Sequence, residues 1–247
     1  MDRMIYTAMT GAKHILEQQA TVSQNLANAS TTGFRAQVDA FRAVPVQGAD
    51  LPTRAYVVDA TVGSNFAPGP IEQTGRALDV AVQGDGWLAV QMPDGSEAYT
   101  RDGNLKTSEN GVLETQGGLP IAGDGGPISI PPDVKVAIAK DGTISAVPTS
   151  GSVAAVTTIG RLKLVNPPTD NLVRGDDGLF RTRDGSPADA DPNVTVASGA
   201  LEGSNVNVVD AMVDMIGLAR QFEMHMSLLK NAESNETKAS QILSLNG

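Results

Sequence analysis

The fold is decided by a stretch near the C-terminus, residues 207–230, which reads NVVDAMVDMIGLARQFEMHMSLLK. Asn207 precedes Asp210 by three residues, an arrangement typical of a capped helix start. Beyond it, apolar residues recur at spacings of three and four, the repeat of one helix face: Val208, Met212, Met215, Ala219, Phe222, Met226 and Leu229. Apolar residues return after Glu236, so the pattern predicts a helix over 207–244, about 55 Å long.

A second repeat of the same kind lies at the N-terminus, at Ile5, Ala8, Ala12, Ile15, Gln19, Val22, Leu26 and Ala29. It predicts a helix that ends near Asn28, before the turn formers Ser30–Gly33. Both repeats have the narrow spacing of a coiled coil, with polar gaps at Gln19 and 233–236 that suit a partly hydrated interface. We therefore expect long N- and C-terminal helices paired as a coiled coil that also packs on neighbouring subunits. The alternative is two helices of one globular core.

Proline and charge divide the 247-residue chain in the same way. All 14 prolines lie between Pro45 and Pro192, and the two 44-residue ends carry net charges of only +1 and −2 out of −10. Since proline breaks helices, we predict an α+β protein. Residues 1–42 and 204–247 form its terminal helical domain, 43–75 an extended linker and 76–203 a β-rich outer domain. The acidic balance disfavours general nucleic-acid binding, which needs clustered Lys and Arg.

The middle of the chain has the pattern of short antiparallel strands. Apolar residues alternate with others at 78–82, 134–138 and 162–164. Eight Asp-Gly or Asn-Gly pairs fall between residues 85 and 185, and such pairs are signals of hairpin turns. The pattern predicts a central antiparallel β domain, barrel-like or sandwich-like.

Candidate chemistry is sparse. There is no cysteine, and the two histidines, His14 and His225, lie on the predicted helices. If the helices pair, the imidazoles approach each other, but a metal site needs a third ligand, for which Glu17 and Glu223 are the candidates. We favour histidines of a helix surface or interface, and we expect no metal site.

Two further motifs are incomplete. Asp189-x-Asp191-x-Asn193 begins like a calcium-binding loop but lacks the later glycine and glutamate that such a loop needs. Gly84-Asp85-Gly86 lacks the third glycine of a dinucleotide-binding turn. We therefore expect neither an enzyme nor a cofactor.

Five strings resemble, in order along the chain, the shared signatures of the rod and hook proteins of the bacterial flagellum. They are NLANASTTGFR at 25–35, TGRALDVAVQGDGW at 74–87, YTRDG at 99–103, LEGSNV at 201–206 and MIGLARQFEM at 215–224. Within that family, Ala219 and Phe222 favour a proximal-rod subunit, because distal-rod and hook proteins tend to have Gln and Tyr there.

The resemblance implies a structural axial subunit of the flagellar basal-body rod, the torque-transmitting drive shaft around the protein-export channel. Its implied partners are proximal and distal rod proteins, copies of itself in a helical tube, and the flagellar type III export apparatus. The N-terminus has no apolar core of a cleavable signal peptide and no apolar run is long enough to span a membrane, so we expect export into the periplasm by that apparatus. The alternatives are a distal-rod protein or a secreted adhesin, the latter suggested by Arg174-Gly175-Asp176.

Assembly contacts are expected from the signature strings and from the apolar repeats of the helices. Gly33 is expected to have a positive φ, Asn28 and Thr32 to satisfy backbone groups in its turn, and Phe34 to pack on helices. Arg220 and Glu223 form a possible surface pair. The residues expected at assembly interfaces are Ile5, Ile15, Val22, Asn25, Leu26, Asn28, Thr32, Gly33, Phe34, Glu202, Asn205, Met212, Met215, Ile216, Ala219, Arg220, Phe222, Glu223, Met226 and Leu229.

Overall fold

A computed structural model describes residues 2–45, 55–148 and 156–244 of the chain. Two α-helices lie at its ends, α1 at Asp2–Ala27 and α2 at Val208–Ser244. The Asn207 Oδ1 accepts a hydrogen bond from the backbone N–H of Val209 at 3.0 Å, and its amide donates to Asp210 at 2.7 Å. The capped start that the sequence predicts for the C-terminal helix is therefore confirmed.

Between the helices the chain forms short strands and one 3-10 turn, Thr169–Asn171. Every strand pairing in the described ranges is antiparallel, as expected from the turn signals. The strands are β1 (Gln37–Pro45), β2 (Ala55–Ser64), β3 (Ile71–Gln73), β4 (Val80–Gln83), β5 (Trp87–Gln91), β6 (Glu97–Thr100), β7 (Leu105–Thr107), β8 (Leu113–Thr115), β9 (Ala122–Gly123), β10 (Gly126–Pro127), β11 (Val134–Ile138), β12 (Thr143–Pro148), β13 (Thr157–Arg161), β14 (Leu164–Val165), β15 (Leu172–Arg174), β16 (Phe180–Thr182), β17 (Thr195–Ser198) and β18 (Ala200–Glu202).

The chain folds as two compact units. We call the first the helical unit; it comprises residues 1–29, 36–65 and 206–247, and so contains α1, α2 and the β1–β2 hairpin. The hairpin pairs Gln37 with Ser64 and has a bulge at Ala40/Phe41. On α1, the apolar residues that are buried, among those whose side chains are described, are Ala12 and Ile15. Strand residues thus occupy part of the stretch that the sequence predicts as a linker, and the predicted domain boundaries stay a prediction.

The predicted coiled coil is wrong, although the α+β class is consistent with the structure. A coiled coil needs one continuous buried seam along both helices, yet Met212 is 50% and Met226 39% exposed. Among the described side chains of α2, Ala211 alone is buried. The physical reason is that apolar residues lie all around α2, so the three-four repeat marks no single face: Val209, Val213, Ile216, Met224 and Leu228 are exposed as well.

The second compact unit, which we call the β unit, comprises residues 30–35 and 66–205. Its largest sheet has five strands in the order β14-β5-β6-β16-β15, accompanied by the three-stranded sheet β11-β12-β13 and several two-stranded ladders. One face of the β5–β6 pair contributes Leu88, Val90 and Ala98 to the main apolar core. The opposite face contributes Trp87 and Tyr99 to a smaller aromatic cluster.

Candidate assembly site

The first family-like string ends in a loop, Ser30–Arg35, that belongs to the β unit; we call it the signature loop. Gly33 has φ +66°, which confirms the predicted positive φ. Its N–H donates to the Glu202 carbonyl at 2.7 Å. A Cβ at this position would overlap the backbone of Arg101 and Asp102. Gly33 is therefore required for a close docking of two loops, not for capping α1, which ends at Ala27.

Behind Gly33 lies a charge cluster that joins three of the strings. The Arg35 Nη2 is 2.7 Å from Glu202 Oε1, and the Arg101 Nη1 is 2.9 Å from Glu202 Oε2. All three side chains are at most 3% exposed. The Gly69 N–H also donates to Glu202 Oε1, at 2.9 Å. One buried carboxylate thus pairs with two buried guanidinium groups, which leaves the cluster with an excess of positive charge.

The Trp87 indole lies beside both guanidinium groups, and backbone carbonyls accept hydrogen bonds from Arg101. The Trp87 ring centroid lies 5.4 Å from the Arg101 Cζ and 5.9 Å from the Arg35 Cζ, within cation–π range. The Arg101 guanidinium donates to the carbonyls of Val82 and Gly84 at 3.3 and 2.6 Å. Burial lowers the pKa of Arg101, and the neighbouring Glu202 carboxylate opposes that shift.

Phe34 is buried, but its partner differs from the expected helices. The Arg174 Cζ lies 4.6 Å from the Phe34 ring centroid, and the same guanidinium donates to the Arg35 carbonyl at 2.9 Å. Burial lowers the pKa of Arg174. The arginine of the Arg174-Gly175-Asp176 tripeptide is thus engaged inside the β unit, which removes the sequence argument for an adhesin.

The other residues predicted in and near the loop make different kinds of contact. Asn28 donates to the Gln24 carbonyl at 2.9 Å, so it does satisfy a backbone group. Thr32 donates instead to the Asp102 carboxylate at 2.7 Å, which corrects the expected backbone contact. The Asn205 N–H donates to the Phe34 carbonyl at 3.3 Å, and its amide to the Ala67 carbonyl at 2.8 Å. Asn205 therefore fastens the signature loop from its other side.

The string at 74–87 also has internal structural roles. Thr74 donates to the buried Asp79 carboxylate at 2.6 Å. A Cβ at Gly103 would overlap the Val80 carbonyl, so the string at 99–103 must pass close to this strand. Four of the five strings that carry the resemblance therefore contribute residues to the packing of the β unit, whereas the string at 215–224 lies on α2.

The predicted residues of the terminal helices are distributed between contact and solvent. On α1, Ile15 is buried, Asn25 bonds the backbone of β1, and Ile5, Val22 and Leu26 are partly buried. On α2, Met215, Ala219, Phe222 and Leu229 are partly buried. The exposed members of the set are Met212, Ile216, Arg220, Glu223 and Met226. Their role at an interface stays a prediction.

Sequence reasoning missed Arg35, Arg101, Trp87 and Arg174 as site residues. The first three stand inside the quoted strings, and Trp87 is the one tryptophan of the chain. A charged residue inside a buried apolar pattern was the available signal for Arg101. No local spacing points to Arg174, because its contacts are more than a hundred residues away along the chain.

Each of the two histidines has a contact of its own on the terminal helices. His14 Nδ1 lies 3.0 Å from Glu17 Oε2, and the His225 ring packs against Gly11 of α1, where a Cβ would come within 2.6 Å of Cε1. Across the described ranges there is no group of three or more His, Cys, Asp or Glu residues placed to hold a metal ion. No helix in those ranges is long and apolar enough to cross a membrane.

Three family models match this chain, in the same order as the strings. "Flagella basal body rod protein" matches residues 5–35, and "Flagellar hook protein FlgE/F/G D1 domain" matches 81–146. "Flagellar basal body rod FlgEFG protein C-terminal" matches 197–242. The matches include both terminal helices and much of the β unit.

Curated relatives match over nearly the whole chain. Flagellar basal-body rod protein FlgF of Escherichia coli K12 is 50% identical, over 99% of this chain and 100% of its own length. The protein of the same name from Salmonella typhimurium LT2 is 49% identical with the same coverage. That of Buchnera aphidicola subsp. Schizaphis graminum is 34% identical over 100% of both chains.

Proposed function

Since this chain belongs to the flagellar basal-body rod protein family, we propose that its terminal helices line the protein-export channel and that its β-rich part faces outward. The chain is a structural subunit of the proximal rod in the bacterial flagellar basal body, where it assembles with other rod and hook proteins. Its family is one of structural proteins. Beyond this, its direct neighbours, its copies in a helical tube and its torque-transmitting role are our proposal.

The observation that carries the proposal is a contrast between two parts of the molecule. Phe34 of the signature loop and the charge cluster of Arg35, Arg101 and Glu202 are buried within the β unit. On α2, by contrast, large apolar side chains are exposed, including Met212, Val213 and Ile216. Exposed apolar patches on a subunit of an assembly mark its contact surfaces. This supports α2 as the surface that neighbouring subunits cover.

We further propose that the chain reaches the rod through the flagellar type III export apparatus. The support is the family to which the chain belongs, since its matched models and relatives are proteins of the flagellar basal-body rod. Labelled full-length chain that is retained in the cytoplasm of an export-deficient strain, but not of its parent, is the expected result. Equal delivery in both strains would contradict this route.

The test of the interface is Ile216→Glu, in cells that depend on this chain for swimming. Ile216 is 56% exposed, so the variant should fold normally, while the new charge should block burial against a neighbour. We expect swimming in soft agar to be lost and the chain to be absent from isolated basal bodies. Asn235→Glu, also on exposed α2 surface, is the matched control and should swim.

Two measurements distinguish the loss of an interface contact from a failure of the variant to fold. Circular dichroism and urea unfolding of purified Ile216→Glu should match those of the original chain. If this variant swims normally and assembles, α2 is not the covered surface and the proposal fails.

A further inference from the structure

The helical unit contains an open groove between α1, β1 and α2, with a volume of about 530 Å³. Its apolar lining includes Val22 of α1, Val38 of β1 and Val213 of α2. Val38 and Val213 are 50% and 62% exposed. A groove of this size accommodates several side chains, and these valines gain by being covered.

The groove is held in shape by backbone contacts. Asn25 joins α1 to β1 by two hydrogen bonds to Gln37, one to its carbonyl at 2.9 Å and one from its N–H at 2.8 Å. Gly217 lines the groove from α2, and a Cβ there would meet nothing within 4 Å. The space is therefore preformed, not closed by neighbouring side chains of the same unit.

Two carboxylates belong to the lining of the groove, Asp39 from β1 and Asp214 from α2. Neither has an ion pair with a basic residue in the described ranges. An occupant that suits this groove is apolar and carries a positive charge at its middle.

The same chain presents such a segment on the other side of α1. Tyr6, Met9, Lys13 and Leu16 recur at spacings of three, four and three, so they form one stripe, which we call the α1 stripe. Tyr6, Met9 and Leu16 are each at least 50% exposed, and the Lys13 side chain is 73% exposed. At about 100° per residue, the stripe lies roughly 150° around the helix from the groove residues of α1.

We propose that the groove of one subunit binds the α1 stripe of a second copy of this chain. Lys13 then lies between Asp39 and Asp214, and the apolar side chains on either side of it cover Val38 and Val213. Lys13 is now 3.5 Å from Glu17 in an exposed i,i+4 pair, which is easily exchanged for another partner. The inference rests on the proposed function and names the partner of one of its surfaces.

The geometry of this contact predicts what kind of assembly it forms and how stable that assembly is. Groove and stripe are different surfaces of one chain, so the contact is heterologous and repeats from copy to copy instead of closing as a pair. A contact made by four side chains is small beside the 1,200–2,000 Å² of a stable complex. We therefore expect it within the assembled rod and only weakly between free subunits.

Disulfide cross-linking in assembled basal bodies tests the pairing, because the chain has no cysteine of its own. Met9→Cys and Val213→Cys are expressed as two separately tagged copies in one cell, and basal bodies are isolated and mildly oxidised. We expect a cross-linked dimer that carries both tags. Met9→Cys with Leu228→Cys is the matched control, since Leu228 is exposed on α2 but outside the groove, and it should give no dimer.

Charge exchange adds a second measurement. In the Met9→Cys and Val213→Cys pair, Lys13→Glu should lower the cross-linked fraction about fivefold, and Asp214→Lys in the groove-bearing copy should restore it. If both cysteine variants are present in basal bodies but no mixed dimer forms, this pairing is wrong and the rod function stands. If the unmodified tagged chain is absent from basal bodies altogether, the proposed function itself fails.

Discussion

Glu202 joins residues from three of the five sequence strings in one buried cluster. It binds Arg35 and Arg101 through separate carboxylate oxygens and accepts the Gly69 N–H, while its own carbonyl accepts from Gly33. Burial of two guanidinium groups is costly unless a carboxylate compensates them. We infer that Glu202 holds the signature loop in place chiefly because its absence leaves two buried charges.

Glu202→Gln should therefore destabilise the chain by about 3–5 kcal/mol, the cost of breaking a buried ion pair. Urea unfolding at neutral pH, followed by Trp87 fluorescence, measures it, since the indole lies beside both arginines. Glu97→Gln is the control. Its pair with Lys163 is about one-fifth exposed, so its loss should cost less. Equal losses of stability in the two variants would show that burial does not make the ion pairs of Glu202 more stabilising than the Glu97–Lys163 pair.

Gly33→Ala should lower the free energy of unfolding by about 2 kcal/mol or more. An L-residue at φ +66° is strained by roughly 1–2 kcal/mol, and the added methyl also overlaps the backbone of Arg101 and Asp102. Gly75→Ala is a matched control, since Gly75 has φ +72° but a Cβ there meets nothing within 4 Å. If the two variants unfold at the same urea concentration, the overlap is relieved by a backbone shift.

At the residue scale, sequence reasoning identified Gly33 correctly and Thr32 and Phe34 only in part. The positive φ of Gly33 could be predicted because the turn-forming residues around it are neighbours in the sequence. The contacts of Thr32 with Asp102 and of Arg174 with Phe34 join residues far apart in the chain. Such contacts depend on the register of distant strands, and no periodicity of one segment contains that information.

At the scale of elements, the terminal helices follow from the sequence almost to the residue. The helix predicted over 207–244 is observed as Val208–Ser244, because Asn207 provides a cap that can be recognised locally. The pairing of the helices could not be obtained in the same way. Apolar residues occur on every side of α2, so more than one helix face fits an apolar repeat. The sequence of a single chain does not show which of these faces a neighbouring subunit covers.

The hairpin turns make a testable pH prediction. Hydrogen bonds from the Thr143 hydroxyl and N–H hold the pKa of Asp141 below its ordinary value of 3.8. A carboxylate with a lowered folded-state pKa contributes stability fully above 3.8, and the contribution is lost as pH falls through the lowered value. Asp141→Asn should thus be less stable than the original chain at pH 7, and the difference should vanish under strongly acid conditions.

Urea unfolding curves of both chains from pH 7 down to strongly acid conditions, well below pH 3.8, measure this difference. Thr143→Val, which removes the hydroxyl donor, should weaken the pH dependence while leaving the backbone donor in place. A gap that widens as the pH falls would reverse the assigned sign.

At the scale of the whole molecule, two discontinuous units differ in how their apolar residues are covered. In the β unit, Leu88, Val90 and Tyr99 are fully buried, whereas beyond Met224 the described large apolar residues of α2 are partly or fully exposed. Local opening is easiest where few apolar contacts must be broken. We expect the helical ends to gain most of their stability from neighbouring subunits.

Hydrogen–deuterium exchange of the purified chain measures this difference. Amides of β5 and β6 should exchange most slowly, and amides of α2 after Met224 should exchange many times faster. Assembly into basal bodies should then protect α2 strongly and change β5 and β6 little. Slow exchange along all of α2 in the free chain would show that the helix is stable without neighbours.

The separation of Arg35 from Glu202 by 167 positions has a consequence for the order of events during synthesis. A chain grows from its N-terminus, so both arginines leave the ribosome well before their shared carboxylate exists. Until residue 202 has been added, the two arginines lack the carboxylate that compensates their burial, so we expect the β unit not to reach its final packing. We expect this delay to keep the growing chain only partly folded, the condition in which a polypeptide can be threaded through a narrow conduit.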